Sequence, residues 1–433
     1  MNNFEESDKF RVRGTIKNHK IGGKKTVSSN IKSMLLTKLI PAVGLFLLVF
    51  FSFALLSDFL RKPNIDKLNT DYKLVTSIPV LEYSYEKQLI SKPLEIRDSE
   101  NPINGTMITK TQYDELLTRH PVAITINNYP AARSQHGLTY ADVVGEFLAE
   151  GGITRYVPIY YSNQEVEKVG PIRSLRYYMI MFTSEYADAI ILHEGQAGYD
   201  DAPWETYREQ ADARGAIRKF GIKNIQTAAT RYRDPAKVRT AGSVHAMYTG
   251  FKLINPEVER LGKTNKWQLG SSKLEPLSFK YDDDFVDRGD FSKLTIDFMT
   301  LKANGSNFQA EFAYDKQSNS YKRYIAGKED IDLQSGMQIS PKNVVVEWHN
   351  YGDANDGHGR IIIDMIGKDR VQIFRDGKVI EGYWQKDCRT CRTKYFDENE
   401  NPIELNRGQT WIAFAVKVKD RLVSNVNLQY NED

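Results

Sequence analysis

The sequence predicts an α+β protein with a single N-terminal transmembrane helix, then a mixed α/β domain and a mostly antiparallel β domain. Three observations predict it. An uncharged run near the N-terminus is long enough to cross a bilayer. Between residues 121 and 213, short apolar strands alternate with helical stretches. From Pro276 onward, strand candidates follow one another with hairpin turns between them.

Residues 1–33 are polar and basic, with Gly22-Gly23 and no apolar period; they read as a disordered cytoplasmic tail. Residues 34–58 read as the transmembrane helix. Leu39 to Ser57 carries no charge, and about 20 apolar residues cross a hydrocarbon core of roughly 30 Å. The basic flank, Lys9 through Lys32, keeps the tail inside by the positive-inside rule. A cleaved signal peptide is the competing reading. The run is longer than a usual signal core and no A-x-A site follows it, which favours an uncleaved anchor. Residues 59–105, with Pro63, Pro79, Pro93 and Pro102, read as a stalk.

Residues 106–260 read as the mixed domain. Strands are expected at 122–126, 142–148, 156–161 and 189–193, and a helix over 174–186 that starts just after Gly170-Pro171. Asp200-Asp201 is expected to cap a helix running to about Ala213. Residues 261–433 read as the β-rich domain, with a hairpin turn at Asp376-Gly377, another hairpin at 395–403, and Thr410–Lys419 as the closing strand.

Residues 1–38 hold nine Lys/Arg and three Asp/Glu, a net of +6, so the remaining chain carries 3 − 6 = −3. That balance disfavours a nucleic-acid partner, and any anion site outside the membrane must be a local cluster. Cys388 and Cys391 form a CRTC motif. In an oxidising compartment a local disulfide pinning a loop is the plainest reading, with a free pair, redox work and metal binding as alternatives. The acidic stretches 282–284 and 353–356 lack EF-hand spacing and read as solvated turns. No HExxH, Walker A loop or dinucleotide fingerprint stands in a suitable context, so neither a metal nor a cofactor is expected.

The unusual polar residues concentrate in the mixed domain. Glu146 and Glu150 flank the turn into Gly151-Gly152-Ile153-Thr154-Arg155. Arg173 and Arg176, three apart after Gly170-Pro171, are expected to share a face of the first helical turn and form an anion site with its N-terminus. Arg155, Arg173, Arg176, Arg233 and Asp234 are the ligand-binding candidates. Glu150, His193 and His245 are the catalytic candidates. Tyr177, Tyr178 and Trp204 offer stacking surfaces. The competing reading pairs the arginines with Glu146, Glu150 or Asp234 as structural ion pairs.

PVAITINNYPAARSQHGLTYADVVGEFLAEGGITRYVPIYY at 121–161, VGPIRSLRYY, YRD and VHAMYT, with NVVVEWHN, FRDGKVIEGYW and GQTWIAF later, resemble the bacterial YerB-like family. Its members carry lipoprotein names and no established activity. The resemblance implies an envelope location, an N-terminal mixed domain and a C-terminal β-rich domain. Its charged motif positions correspond here to Glu150, Arg155, Arg173, Arg176, His193, Arg233, Asp234 and His245. Two features depart from the pattern: Ala246 stands where the family usually has Asn, and a membrane span replaces the lipid anchor.

Three functions are weighed. The first is a membrane-anchored extracytoplasmic envelope protein that binds an anionic or sugar-containing cell-wall polymer or precursor. The second is a wall-directed hydrolase or phosphoryl-type transferase. The third is a protein-interaction module, its protein partner unspecified. The first is preferred.

Overall fold

The computed structural model describes residues 95–198, 208–263, 275–299 and 305–431. The expected cytoplasmic tail, the expected transmembrane helix, most of the expected stalk and Trp204 lie outside the described residues. Among the described residues, no helix is long and apolar enough to cross a membrane. The fold is α+β, with few helices and a large β portion.

Helix α1 (Lys110–Leu116) opens with a capping box in which Thr109 and Gln112 satisfy each other's backbone N–H. Strands β1 (Val122–Ile124), β2 (Ile126–Asn127), β3 (Val143–Leu148) and β4 (Thr154–Tyr160) follow, and every residue in them is buried. Next come α2 (Tyr177–Ser184), β5 (Ile190–Leu192), α3 (Ala213–Phe220), β6 (Asn224–Ile225), β7 (Tyr232–Arg233), α4 (Pro235–Ala241), β8 (Met247–Tyr248) and α5 (Phe251–Lys263). The C-terminal half adds β9 (Phe291–Asp297), β10 (Ala310–Asp315), β11 (Ser320–Ile325), β12 (Asn343–Asp353), β13 (Gly367–Arg375), β14 (Lys378–Lys386), β15 (Lys394–Phe396), β16 (Thr410–Val418) and β17 (Asn425–Tyr430).

One mixed sheet runs in the order β15-β14-β13-β12-β16-β3-β4-β1-β5-β6. It therefore crosses from the C-terminal half into the N-terminal half. The crossing is the parallel pair β16–β3, with Thr410 opposite Val143 and Phe414 opposite Phe147. The Phe147 and Phe414 rings stack at 3.9 Å across this seam. Residues 90–433 form one compact unit, so the 260/261 division falls inside it. Strands β11-β10-β9-β17 form a second, antiparallel sheet with Lys328–Glu329 at its edge.

The turn at Asp376-Gly377 joins β13 to β14 as expected, with φ of 52° and 66°. Two positive φ angles define the hairpin turn that matches strand twist, and Gly favours the second. The closing strand β16 is followed by β17, which the sequence reading lacked; its NVNLQY pattern is largely exposed and carries little apolar signal.

Two expectations require correction. The helix does not start after Gly170-Pro171 but at Tyr177. Residues 170–173 are instead tied to neighbouring segments. Asn127 N–H donates to the Pro171 carbonyl at 2.8 Å, Ile172 N–H to Met247 at 2.6 Å, and Arg173 N–H to Thr125 at 2.8 Å. Backbone groups spent this way are not available for a helix. Arg176 thus occupies the position before α2, and Arg173 lies outside it. The start of the helix expected from Asp200-Asp201 lies outside the described residues, and its expected end differs. Glu209–Ala211 is a short 3-10 turn, and Asp212 caps α3, which begins at Ala213.

Candidate functional site

Glu150 sits on the turn between β3 and β4, where Gly151 takes a φ of 73°. Its carboxylate is the hub of an ion-pair fork. Arg176 donates Nη2–H to Oε2 at 2.9 Å and Nε–H to Oε1, and Arg155 donates Nη2–H to Oε2 at 3.2 Å. Arg155 also donates to the Ser174 carbonyl at 2.9 Å. Burial pushes the Glu150 pKa up, but the two guanidiniums, Arg176 foremost, outweigh it and hold the pKa at about 2. A carboxylate so committed is ionised near neutral pH and has no proton to give. Arg155 and Arg176 are correspondingly spent on Glu150.

Arg173 differs. It is half-buried, and among the described residues no carboxylate lies within ion-pair distance of it. Its charge acts on His245. Asn127 donates Nδ2–H to His245 Nδ1 at 2.9 Å. The orientation of that amide follows from its other end, where Asn127 Oδ1 accepts the Tyr129 N–H at 2.9 Å. Neutral His245 therefore carries its proton on Nε2, which has no protein partner among the described residues. The Tyr129 ring lies over His245 at 4.8 Å and 8°, and Tyr129 is 42% exposed. Burial, then Arg173 and Lys237, lower the His245 pKa.

His193 is placed differently. Its Nδ1–H donates to the Gly195 carbonyl at 2.9 Å, and Asn224 donates Nδ2–H to its Nε2 at 3.2 Å. Both ring nitrogens are occupied, and burial lowers its pKa to about 4. Burial thus favours the neutral ring, and both of its nitrogens are engaged by neighbouring residues. Next to it, Arg231 pairs with Glu194 at 2.9 Å and donates to the His193 carbonyl at 3.1 Å. Arg233 approaches Glu194 only to 3.7 Å, and its side chain is 52% exposed. Asp234 contacts no arginine. It pairs with Lys168 at 2.6 Å and caps α4 through the Ala236 and Lys237 N–H groups, and the Lys168 bond leads in holding its pKa at about 2. Tyr178 is fully buried with its hydroxyl on the Leu148 carbonyl, so it offers no stacking face.

The N-terminal domain of a family described as a protein of unknown function (DUF3048) matches residues 108–264, and the family's C-terminal domain matches residues 299–412. The candidate lipoprotein YerB of Bacillus subtilis (strain 168) is 30% identical over 291 residues, 66% of this chain and 77% of YerB. The chain belongs to the YerB-like family. A crystal structure of Bacillus subtilis YerB matches with a TM-score of 0.61 at 24% identity, covering 76% of this chain and 99% of that one, which shows a shared fold.

In this YerB-like chain, the GGITR, GPIRSLR, YRD and VHAMYT segments converge. Strand pairing joins β7 to β8, and the 170–173 segment lies against β2 and β8. Of the residues singled out from sequence, Glu150, Arg155 and Arg176 form one salt-bridged group, while Arg173 and His245 form an open one beside Arg233. Glu194, next to His193 at the end of an apolar strand, belongs to the same neighbourhood, and Asn127, Tyr129 and Arg231, which were not among the candidates, complete it. For Asn127, the Asn127-Asn128 pair closing an apolar strand is the visible signal. Among the described residues, no cluster of three or more His, Cys, Asp or Glu is placed to hold a metal ion. Cys388 and Cys391 are joined by a disulfide. The acidic stretch at 282–284 is ion-paired, Asp282 to Lys342 and Asp283 to Lys280 and Lys378.

Proposed function

We propose that this protein is a membrane-anchored, extracytoplasmic envelope protein whose surface around Arg173 and His245 binds an anionic or sugar-containing cell-wall component. The single observation carrying the reading is Arg173, a half-buried guanidinium without a carboxylate partner among the described residues. Such a charge is costly unless something answers it, and a bound anion answers it. Arg155 and Arg176 are already held by Glu150, so Arg173 is the arginine of this group left to meet a ligand. Anchoring is supported by the uncharged run at 39–57, its basic flank, and the lipoprotein name of the Bacillus relative.

The test is thermal unfolding of the full-length chain in detergent, with wall fragments, teichoic-type phosphates and lipid-linked precursors. A ligand that binds only the native state raises the midpoint. A rise in wild type that is absent in Arg173→Ala, with both proteins folded, is expected. No rise with any member sinks the binding reading. Anchoring is tested separately: the protein resists alkaline extraction from membranes, and protease added to intact cells without a wall removes residues 95–433.

A further inference from the structure

Among the described residues, the surroundings of Arg173 and His245 bring arginine donors and exposed rings together. Glu150 pairs with Arg155 and Arg176, and Glu194 pairs with Arg231 and approaches Arg233, while Arg173 pairs with neither among the described residues. His245 adds one more donor, its Nε2–H, because Asn127 occupies Nδ1. A neutral sugar hydroxyl both donates and accepts, so it needs acceptors in its site as well as donors. A carboxylate or phosphate only accepts and carries the opposite charge, which matches the Arg173 guanidinium, unpaired among the described residues, beside His245 Nε2–H.

The rings supply the second half of the argument. Tyr129 lies parallel to His245 at 4.8 Å and keeps 42% of its surface exposed. Tyr232 is 40% exposed and leans on Tyr248 at 6.4 Å, and Val244, beside His245, is 52% exposed. Burying such tyrosine faces is favourable, and their flat surface suits the C–H face of a pyranose. His245 links the two features: its ring packs on Tyr129, and Arg173 acts on it electrostatically.

Resting on the binding function proposed above, we infer that the ligand is a sugar ring bearing its own anionic group, a carboxylate or a phosphate, with the ring on Tyr129 and the anion on Arg173 and His245 Nε2–H.

The experiment is calorimetric titration of the full-length chain in detergent with four probes. They are N-acetylmuramic acid, N-acetylglucosamine 1-phosphate, N-acetylglucosamine and inorganic phosphate. At least one anionic sugar binds at least tenfold tighter than both the neutral sugar and inorganic phosphate; which of the two wins names the anion. Tyr129→Ala erases that margin and Tyr129→Phe keeps it, while Arg173→Gln costs at least tenfold and Arg173→Lys recovers part of the loss. Inorganic phosphate binding as tightly as both anionic sugars, untouched by Tyr129→Ala, overturns the inference but leaves an anion-binding site standing. Equal binding of the neutral sugar also overturns it. Failure of all four probes, together with no thermal shift from the wall polymers, removes both readings.

Discussion

Arg323 of β11 donates Nη2–H to Glu146 Oε2 of β3 at 2.8 Å, and both side chains are fully buried. This contact ties the C-terminal half of the chain to the N-terminal half. Thr154 donates to Glu146 Oε1 at 2.9 Å and Trp411 donates to Oε2 at 3.1 Å, while Arg323 also pairs with Asp330. The guanidinium lies 4.4 Å from the Trp411 ring centre. Buried charges repay their desolvation only when fully partnered, and these nearly are.

Removing one partner strands the others. Glu146→Gln or Arg323→Met is expected to cost roughly 3–5 kcal/mol each in urea unfolding. The double variant should lose clearly less than the sum, because each single change already abolishes the pair. Additive losses would show that the two residues are not coupled.

Glu150 should behave as a structural hub. Glu150→Gln leaves Arg155 and Arg176 without their counter-charge and is expected to cost roughly 2–3 kcal/mol at pH 7, somewhat under the fully buried case. Because the folded carboxyl is depressed to about 2, its contribution is complete above about pH 4.5 and is lost as pH falls toward 2. The gap between wild type and variant should therefore close across that window. A gap that stays constant with pH would contradict the assignment.

The neutral state of His193 carries its own pH signature. Its folded pKa, about 4, lies below the value of about 6.5 for a free imidazole, so the unfolded chain binds the extra proton between them. Stability should fall as pH drops from about 6.5 to 4, by up to about 1.4 kcal/mol per pH unit for each such histidine. His136, also lowered to about 4 by burial and then by Lys168, adds to the same slope. In His193→Gln the slope should shrink by one proton. An unchanged slope would mean the ring is protonated or exposed.

The Cys388–Cys391 disulfide closes a loop whose arginines reach back to the end of α2. Arg389 pairs with Asp188, and Arg392 pairs with Glu185 at 3.4 Å; Lys386, just before the loop, meets Glu185 at 2.6 Å. A loop this short constrains the unfolded chain modestly, so Cys388→Ser with Cys391→Ser should cost roughly 2 kcal/mol. Alkylation of the unreduced protein after denaturation should add no mass. Labelling of both cysteines would rule the disulfide out.

Much of the strand pattern was legible because it is local. Val122–Ile126, residues 142–148 and residues 344–349 are compact apolar runs, and Asp376-Gly377 names its own turn. The arginine-rich neighbourhood was legible as a set of segments, but not as a set of roles. Arg173 and Arg176 are equivalent in sequence, three residues apart. They differ because Arg176 finds Glu150, 26 positions away, while Arg173 is carried past it by backbone bonds to Thr125 and Glu194. His193 and His245 were equally matched candidates until Asn224 and Gly195 filled both nitrogens of one, and Asn127 only one nitrogen of the other.

By itself the sequence determined the α+β class, the family resemblance and where most strands lie, since side-chain periodicity and turn chemistry act over a few residues. Tertiary structure decided that the two halves share one sheet, that Glu146 meets Arg323 across 177 positions, and which arginine is left open. Those outcomes depend on which distant charges come within about 4 Å of one another, and only the folded chain sets those distances.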